Sequence, residues 1–378
     1  MLTRQLEFAP DHDAELFAAI PAVPAVFLLR GGDPQSEPYI SKTANLRRRL
    51  QRLLGPPTEQ SKRLNLRDRV RHIEYQPSGS DFESGFLLYQ LLRATFPKVY
   101  SDRLRFRFAP LIKLHLENEY PRASITIRLG GLKGRSFYYG PFPSRAAAEK
   151  FANDALDLFK MRRCVDDLHP DPKFPGCIYS EMKMCLAPCF KGCTDGEYGG
   201  EVARVQAFLD TSGQSLVREI STQRDSASAG LEFEGAAALH ARLEKLKPLL
   251  GQLPEIVRRI DRLSGIMVQP SADPACVNFF RLESGRLAGP RAFAIQASEH
   301  TKSQSMEARV EEALTGFPSS QSRTALETME HLALLKRWYY RSRRVGEIFF
   351  ADEKGSLPMR RIVRGISRVY RGEKAEAM

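Results

Sequence analysis

Five of the chain's six cysteines fall between Cys164 and Cys193, and no other stretch so restricts the fold. Cys164, Cys177, Cys185 and Cys189 are separated by 12, 7 and 3 residues. Thiolates are soft ligands suited to zinc or an iron–sulfur cluster, and Cys185-Leu186-Ala187-Pro188-Cys189 is compact enough to aim two sulfurs at one metal. The spacing matches neither standard zinc pattern, so it leaves a second reading open, a set of reduced, partly buried thiols. Disulfides are the poorest of the three. Six cysteines in 378 residues, with no apolar segment at the N-terminus, read as a cytoplasmic chain whose thiols stay reduced.

Net charge decides the partner class. At +12, with a pI near 9.5, the chain favours a polyanion, because lysines and arginines on phosphates release counterions without reading sequence. No apolar run approaches the ~20 residues of a membrane helix, so a membrane is not expected as a partner. With 42% apolar residues the chain builds ordinary cores.

The patterning implies an α+β fold in four parts: 1–107, 108–195, 196–255 and 256–378. Met1 to Val23 reads as a lead-in. Ala25 to Arg30 and Glu37 to Ser41 read as a strand pair around a Gly31–Pro34 turn, and Thr43 as the cap of a helix with Leu46, Leu50, Leu53 and Leu54 on one stripe. A helix is expected over Asp81–Thr95. The alternation Arg103-Leu104-Arg105-Phe106-Arg107-Phe108 has the period of a strand, with guanidinium groups on one face and rings on the other. Ser144 caps a helix with Ala147, Phe151, Ala155, Leu158 and Phe159 on one face.

The segment Pro38-Tyr39-Ile40-Ser41-Lys42-Thr43-Ala44-Asn45-Leu46-Arg47-Arg48-Arg49-Leu50 resembles the hairpin edge and arginine-bearing helix of the UvrC family of bacterial nucleotide-excision repair, whose N-terminal nuclease is of the GIY-YIG class. The resemblance places Tyr39 at the attacking water or scissile phosphate, with Lys42 in the same motif and Arg49 as the helix arginine. A guanidinium neutralises a phosphoryl oxygen, while a carboxylate-held Mg2+ or Mn2+ steadies the leaving oxygen. Two departures stand out. The first motif reads Ala25-Val26-Phe27, and Leu88 stands where the family has its metal-binding glutamate, with Tyr100 at the family's later asparagine. Glu83, or Asp81, one to two turns upstream, is the available surrogate carboxylate. Arg47 and Arg48 belong to an arginine-rich run extending to Arg71 that suits phosphate contacts.

Further along, Tyr139-Gly140-Pro141-Phe142-Pro143-Ser144, Arg162-Arg163-Cys164 and the cysteine stretch follow the family's order. The resemblance therefore implies that Cys164, Cys177, Cys185 and Cys189 hold a 4Fe-4S cluster, with zinc as the alternative. Residues 216–246 resemble the UVR hairpin by which UvrC binds the helicase UvrB, with Phe233, Leu239 and Leu243 facing the partner; on pattern alone they equally describe an ordinary helix pair. Asn278 to Gly289 resembles the strand pair that follows, and the resemblance extends from residue 24 to about 317. Beyond it there is no room for the family's second nuclease or its helix-hairpin-helix module, as in the single-nuclease homologues called Cho. A helix over Thr324–Ser342, a strand at Ile348 and Phe349, and a last helix after Ser356 are expected instead. On that helix Arg361, Arg364 and Arg368 form a basic stripe that suits DNA. Two functions remain: an excinuclease-type endonuclease cutting one phosphodiester near a lesion, or a lapsed homologue holding damaged DNA and UvrB together.

Overall fold

The computed structural model describes residues 2–33, 35–57, 63–130, 136–296, 304–317 and 324–373. The turn expected to end at Pro34 thus falls partly outside the described residues, as do 58–62 of the arginine-rich run. The N-terminal strands β1 (Arg4–Glu7), β2 (Ala25–Gly31), β3 (Tyr39–Thr43) and β4 (Val70–Pro77) pair antiparallel in the order β1-β4-β2-β3. Ala25 to Leu29 reads as an unbroken apolar run because both faces of the sheet are covered, and none of the five is more than 2% exposed. On one face lie α1 (Asp13–Ala19) and α2 (Leu46–Leu54), whose Leu46, Leu50, Leu53 and Leu54 pack on Phe27, Leu29, Ile73 and Tyr75. Each such leucine contributes roughly 2 kcal/mol by leaving water. On the other face lies α3 (Asp81–Thr95), capped by Ser80 and followed by α4 (Tyr100–Leu104).

The first twenty-odd residues are not a lead-in. β1 pairs with β4, and Phe8, Phe17 and Ile20 enter the core under α2. The cap of α2 is Asn45, whose side chain accepts from the Arg48 amide, while Thr43 Oγ1 accepts from the Asn45 amide one step earlier. The expected strand over Arg103–Phe108 does not form. Arg103 closes α4 and pairs with Glu37, Arg105 turns left-handed at φ 48°, and Phe106 and Phe108 stack on each other at 6.0 Å instead of alternating with the arginines.

The middle of the chain contributes β5 (Leu111–His115), β6 (Arg122–Thr126), β7 (Phe137–Gly140) and, from far downstream, β8 (Arg258–Arg259), in the order β6-β5-β7-β8. α5 (Arg145–Leu156) packs on this sheet, with Ser144 as its cap. The cysteine stretch that follows holds only α6 (Ile178–Glu181) and a short 3-10 turn, then passes into α7 (Asp195–Asp210), α8 (Gln214–Ala229) and α9 (Phe233–Gly251). Gly213 makes the α7–α8 turn at φ +88°, where a Cβ would stand 2.1 Å from Leu250.

The third sheet, β9 (Gly265–Pro270), β10 (Cys276–Glu283), β11 (Arg286–Ala294) and β12 (Glu347–Phe350), is ordered β11-β10-β9-β12. α10 (Met306–Thr315) and α12 (Met359–Arg371) cover one face; α11 (Ala325–Tyr339) covers the other. This is an α+β chain throughout. α3 is shared between its two ends: Phe82 and Phe86 meet Phe280 of β10 edge-on at 5.1 and 5.7 Å, and Trp338 of α11 lies 5.7 Å from Phe82. One buried cluster therefore runs from Phe82 to Phe350 and crosses the boundaries read from the sequence.

Candidate functional site

The hairpin edge β3 sends alternate side chains to its two faces, and the expected site residues divide accordingly. Tyr39 lies toward α2, where its hydroxyl accepts a 2.9 Å hydrogen bond from the Arg49 guanidinium. Beside that pair, Arg48, Arg49, Arg52 and Arg63 line a groove of about 500 Å3 with Thr43 and Asn45. Arg47 does not join them. Its guanidinium caps the end of α1 by donating to the carbonyls of Ile20, at 2.7 Å, and Ala18, at 3.1 Å.

Lys42 lies on the other face, where its Nζ is 2.5 Å from Asp81 Oδ1, and Arg341 reaches Asp81 Oδ2 at 2.7 Å. Burial opposes ionisation of Asp81, but Lys42 and Arg341 together outweigh it and hold this carboxyl below the usual range. Lys42 also lines a cavity of about 660 Å3 together with Leu88, Arg105, Arg107, Lys336 and Arg337. Leu88 thus lines the same cavity as Lys42. Glu83 does not enter this cavity. It is 3% exposed, accepts from the Gly79 amide at 2.8 Å, and lines a separate concavity with Asn278; burial pushes its pKa up against those two partners. The surrogate carboxylate expected at Glu83 is therefore turned away, and the carboxylate beside Lys42 is Asp81. Tyr100, at the family's asparagine position, donates to the buried Glu330 at 2.6 Å.

All five thiols of the cysteine stretch, like Cys276 in β10, are free, and burial first, then the neighbouring Cys164, Cys189 and Cys177, push the Cys185 thiol up to about 11. Three sulfurs accept N–H groups: Cys164 from the buried Arg162 at 3.3 Å, Cys185 from the Ala187 amide at 3.3 Å, and Cys177 from the start of α6. Such donors tune metal thiolates. The sulfurs are not drawn into one coordination sphere: among the described residues no three His, Cys, Asp or Glu side chains stand together as a metal site. The donor chemistry fits a cluster, whereas the cavity at Lys42, with leucine and cations, does not fit Mg2+ or Mn2+.

The other expected contacts also divide. In the hairpin Leu243 is buried at 8% with Leu216, Ile220 and Leu246, Leu239 is half-buried against the same core, and Phe233 is 65% exposed beside the exposed Leu231. On α12, Arg364 faces solvent, while Arg368 grips the buried Glu347 with two 2.7 Å bonds and so belongs to the core; Arg361 is exposed and partnered. Sequence reasoning missed Arg105, Arg107, Lys336 and Arg337 as a group, because no local pattern brings α11 beside residue 42.

Residues 109–208 match the family described as the UvrC/Cho excinuclease, middle domain. The chain is 25% identical to UvrABC system protein C of Haemophilus ducreyi over 76% of this chain and 47% of that one. It is 28% identical to the Stenotrophomonas maltophilia K279a protein of the same name (75% and 46% covered) and 27% identical to that of Carboxydothermus hydrogenoformans (75% and 46%). The chain spans about half the length of these relatives. No solved structure matches it significantly. Among the described residues no helix is long and apolar enough to cross a membrane. Over about three quarters of its length the chain is thus similar to proteins named UvrABC system protein C, and residues 109–208 match the UvrC/Cho excinuclease middle-domain family.

Proposed function

We propose that this chain is a cytoplasmic DNA-repair protein that binds damaged duplex together with a UvrB-like helicase and holds it without cutting. The supporting observation is the cavity at Lys42: Leu88 occupies its wall, five basic side chains line it, and Glu83 opens into another concavity. An in-line displacement needs its metal carboxylate placed to within a fraction of an ångström, and nothing in that cavity supplies one. The Tyr39–Arg49 pair and the arginine groove beside it suit binding of phosphates.

Nicking of an end-labelled, lesion-bearing duplex in magnesium or manganese, with and without the helicase, tests this. Retention of the duplex with no product is expected. Product that disappears in Tyr39→Phe would restore the endonuclease reading, and Asp81→Asn would then be the control for the carboxylate.

The partner surface is the exposed tip of the α8–α9 hairpin, Leu231 and Phe233, rather than Leu243. A buried aromatic anchor is worth about 2 kcal/mol or more at an interface, so Phe233→Asp should weaken helicase binding at least roughly tenfold with unchanged thermal stability. Unaltered binding by titration calorimetry would remove this surface.

Cys164, Cys177, Cys185 and Cys189 would hold a 4Fe-4S cluster, or zinc in its place, as a brace between the middle sheet and α7. A cluster supplies four iron–thiolate bonds when bound; the chain's part is Arg162 and the Ala187 amide, which orient two sulfurs. Anaerobically purified protein should contain iron and acid-labile sulfide, lost in Cys185→Ser. Absence of both iron and zinc would leave the thiols as reduced core residues.

A further inference from the structure

The cavity beside Lys42 has a lining that the lapse of a nuclease centre does not by itself explain. Lys42 comes from β3, Arg105 and Arg107 from the segment after α4, and Lys336 and Arg337 from α11, some 230 residues later in the chain. Among the described residues no aspartate or glutamate lines this cavity, and none pairs with Arg105, Arg107 or Arg337. Of the five lining cations Asp81 pairs with Lys42 alone, and its other oxygen is taken by Arg341, which is outside the lining. Lys336 donates to the Phe108 carbonyl at 3.2 Å, and burial together with the nearby Arg107 lowers its pKa. Positive groups converging on an apolar wall without a counter-charge repel one another, and an anion relieves that repulsion. A divalent metal is repelled by the same lining and finds Leu88 where a ligand would have to be.

The anion that fits is one unit of a polymer. Lys42 lines this cavity and Thr43, the next residue, lines the arginine groove of Arg48, Arg49, Arg52 and Arg63. Successive strand residues point to opposite faces, so the two basic concavities flank the edge strand β3 on its two sides, an arrangement that suits a polymer passing that edge better than a single small anion.

We infer that this cavity is a metal-independent site for a backbone phosphate of DNA, completed by Lys336 and Arg337 of α11. The inference rests on the DNA-binding reading above.

The test is equilibrium binding of the full chain to a fluorescein-labelled duplex by anisotropy, as a function of salt, in EDTA and in magnesium at matched ionic strength. Wild-type affinity should be the same in both. The exposed substitutions Arg107→Gln and Arg337→Gln should each weaken binding roughly fivefold to tenfold and lower the salt slope by about 1, with unchanged circular dichroism. Leu88→Glu should weaken binding in EDTA and regain part of it in magnesium. If wild type binds but both arginine variants bind equally well with the same slope, the site is not where the phosphate lies. A wild type that needs magnesium, or from which inorganic pyrophosphate displaces DNA as efficiently as unlabelled duplex does, also overturns the inference. Wild type that binds no duplex at any salt would instead refute the DNA-binding reading itself.

Discussion

Glu330→Ala should destabilise the protein by about 3–5 kcal/mol, the range for removing one partner of a buried charged network. Glu330 is fully buried on α11, and its carboxylate accepts from the Tyr89 hydroxyl at 2.8 Å and the Tyr100 hydroxyl at 2.6 Å. Tyr89 also accepts from Arg93, whose other bond goes to Glu327. Alanine strands both phenols in a closed interface and opens a cavity between α3, α4 and α11. Glu330→Gln retains an acceptor and should lose less. Urea unfolding of the three proteins measures the difference, and an alanine variant within about 1 kcal/mol of wild type would show that the network carries little of the stability. Because the same α3–α11 contact brings Lys336 and Arg337 beside Lys42, loss of Glu330 should also weaken duplex binding even below the unfolding transition.

The network explains how much of this molecule could be read beforehand. α3 is legible to the residue, because Ser80, Asp81 and Glu83 form an N-terminal signature and the helix runs as expected to Thr95. The β2–β3 hairpin, α2 and the helix after Ser144 follow from their periods for the same reason, since those signals are local, although β3 runs from Tyr39 to Thr43 rather than from Glu37 to Ser41 and α2 is capped by Asn45 rather than Thr43. What was missed depends on partners far away in sequence. Met1 to Val23 looked like a lead-in because β1 is four residues long and finds β4 nearly seventy residues later. The Arg–Phe alternation after residue 103 has a strand's period but no free sheet edge to join, so it turns at Arg105 and stacks its rings. Arg47 and Arg368 looked like members of basic faces, yet each reaches inward, one to helix-end carbonyls and the other to Glu347. Leu243 fits a partner-binding stripe and a core stripe equally well in sequence. Only the presence of Leu216 and Ile220 against it decides for the core.

Acid should loosen the same interface through His331. Its ring lies between Phe86 and Tyr89, at 5.5 and 5.3 Å, and Nδ1 accepts from the Leu287 amide at 3.0 Å, so the buried ring is neutral. Burial is the main cause that lowers its pKa from 6.5 to about 4, with Arg286 and Arg93 adding to it and Glu327 opposing. The folded state therefore binds a proton less readily than the unfolded chain. Stability is fully present above pH 6.5 and falls as the pH drops toward 4, by roughly 3 kcal/mol over that window. Urea midpoints measured between pH 7 and pH 4 should show this loss. His331→Asn keeps an acceptor for the Leu287 amide but has no proton to gain, so its stability should start lower at pH 7 and decline less on acidification. Equal acid sensitivity in the two proteins would assign the decline to carboxylates elsewhere. The contrast has a functional reading as well, since Phe86 and Tyr89 belong to the helix that carries Leu88. An α3 held by a neutral histidine and a doubly hydrogen-bonded glutamate is fastened for packing against α11. At the hairpin edge the same helix sets Leu88 in the wall of the cavity with five cations and Asp81 in an ion pair with Lys42.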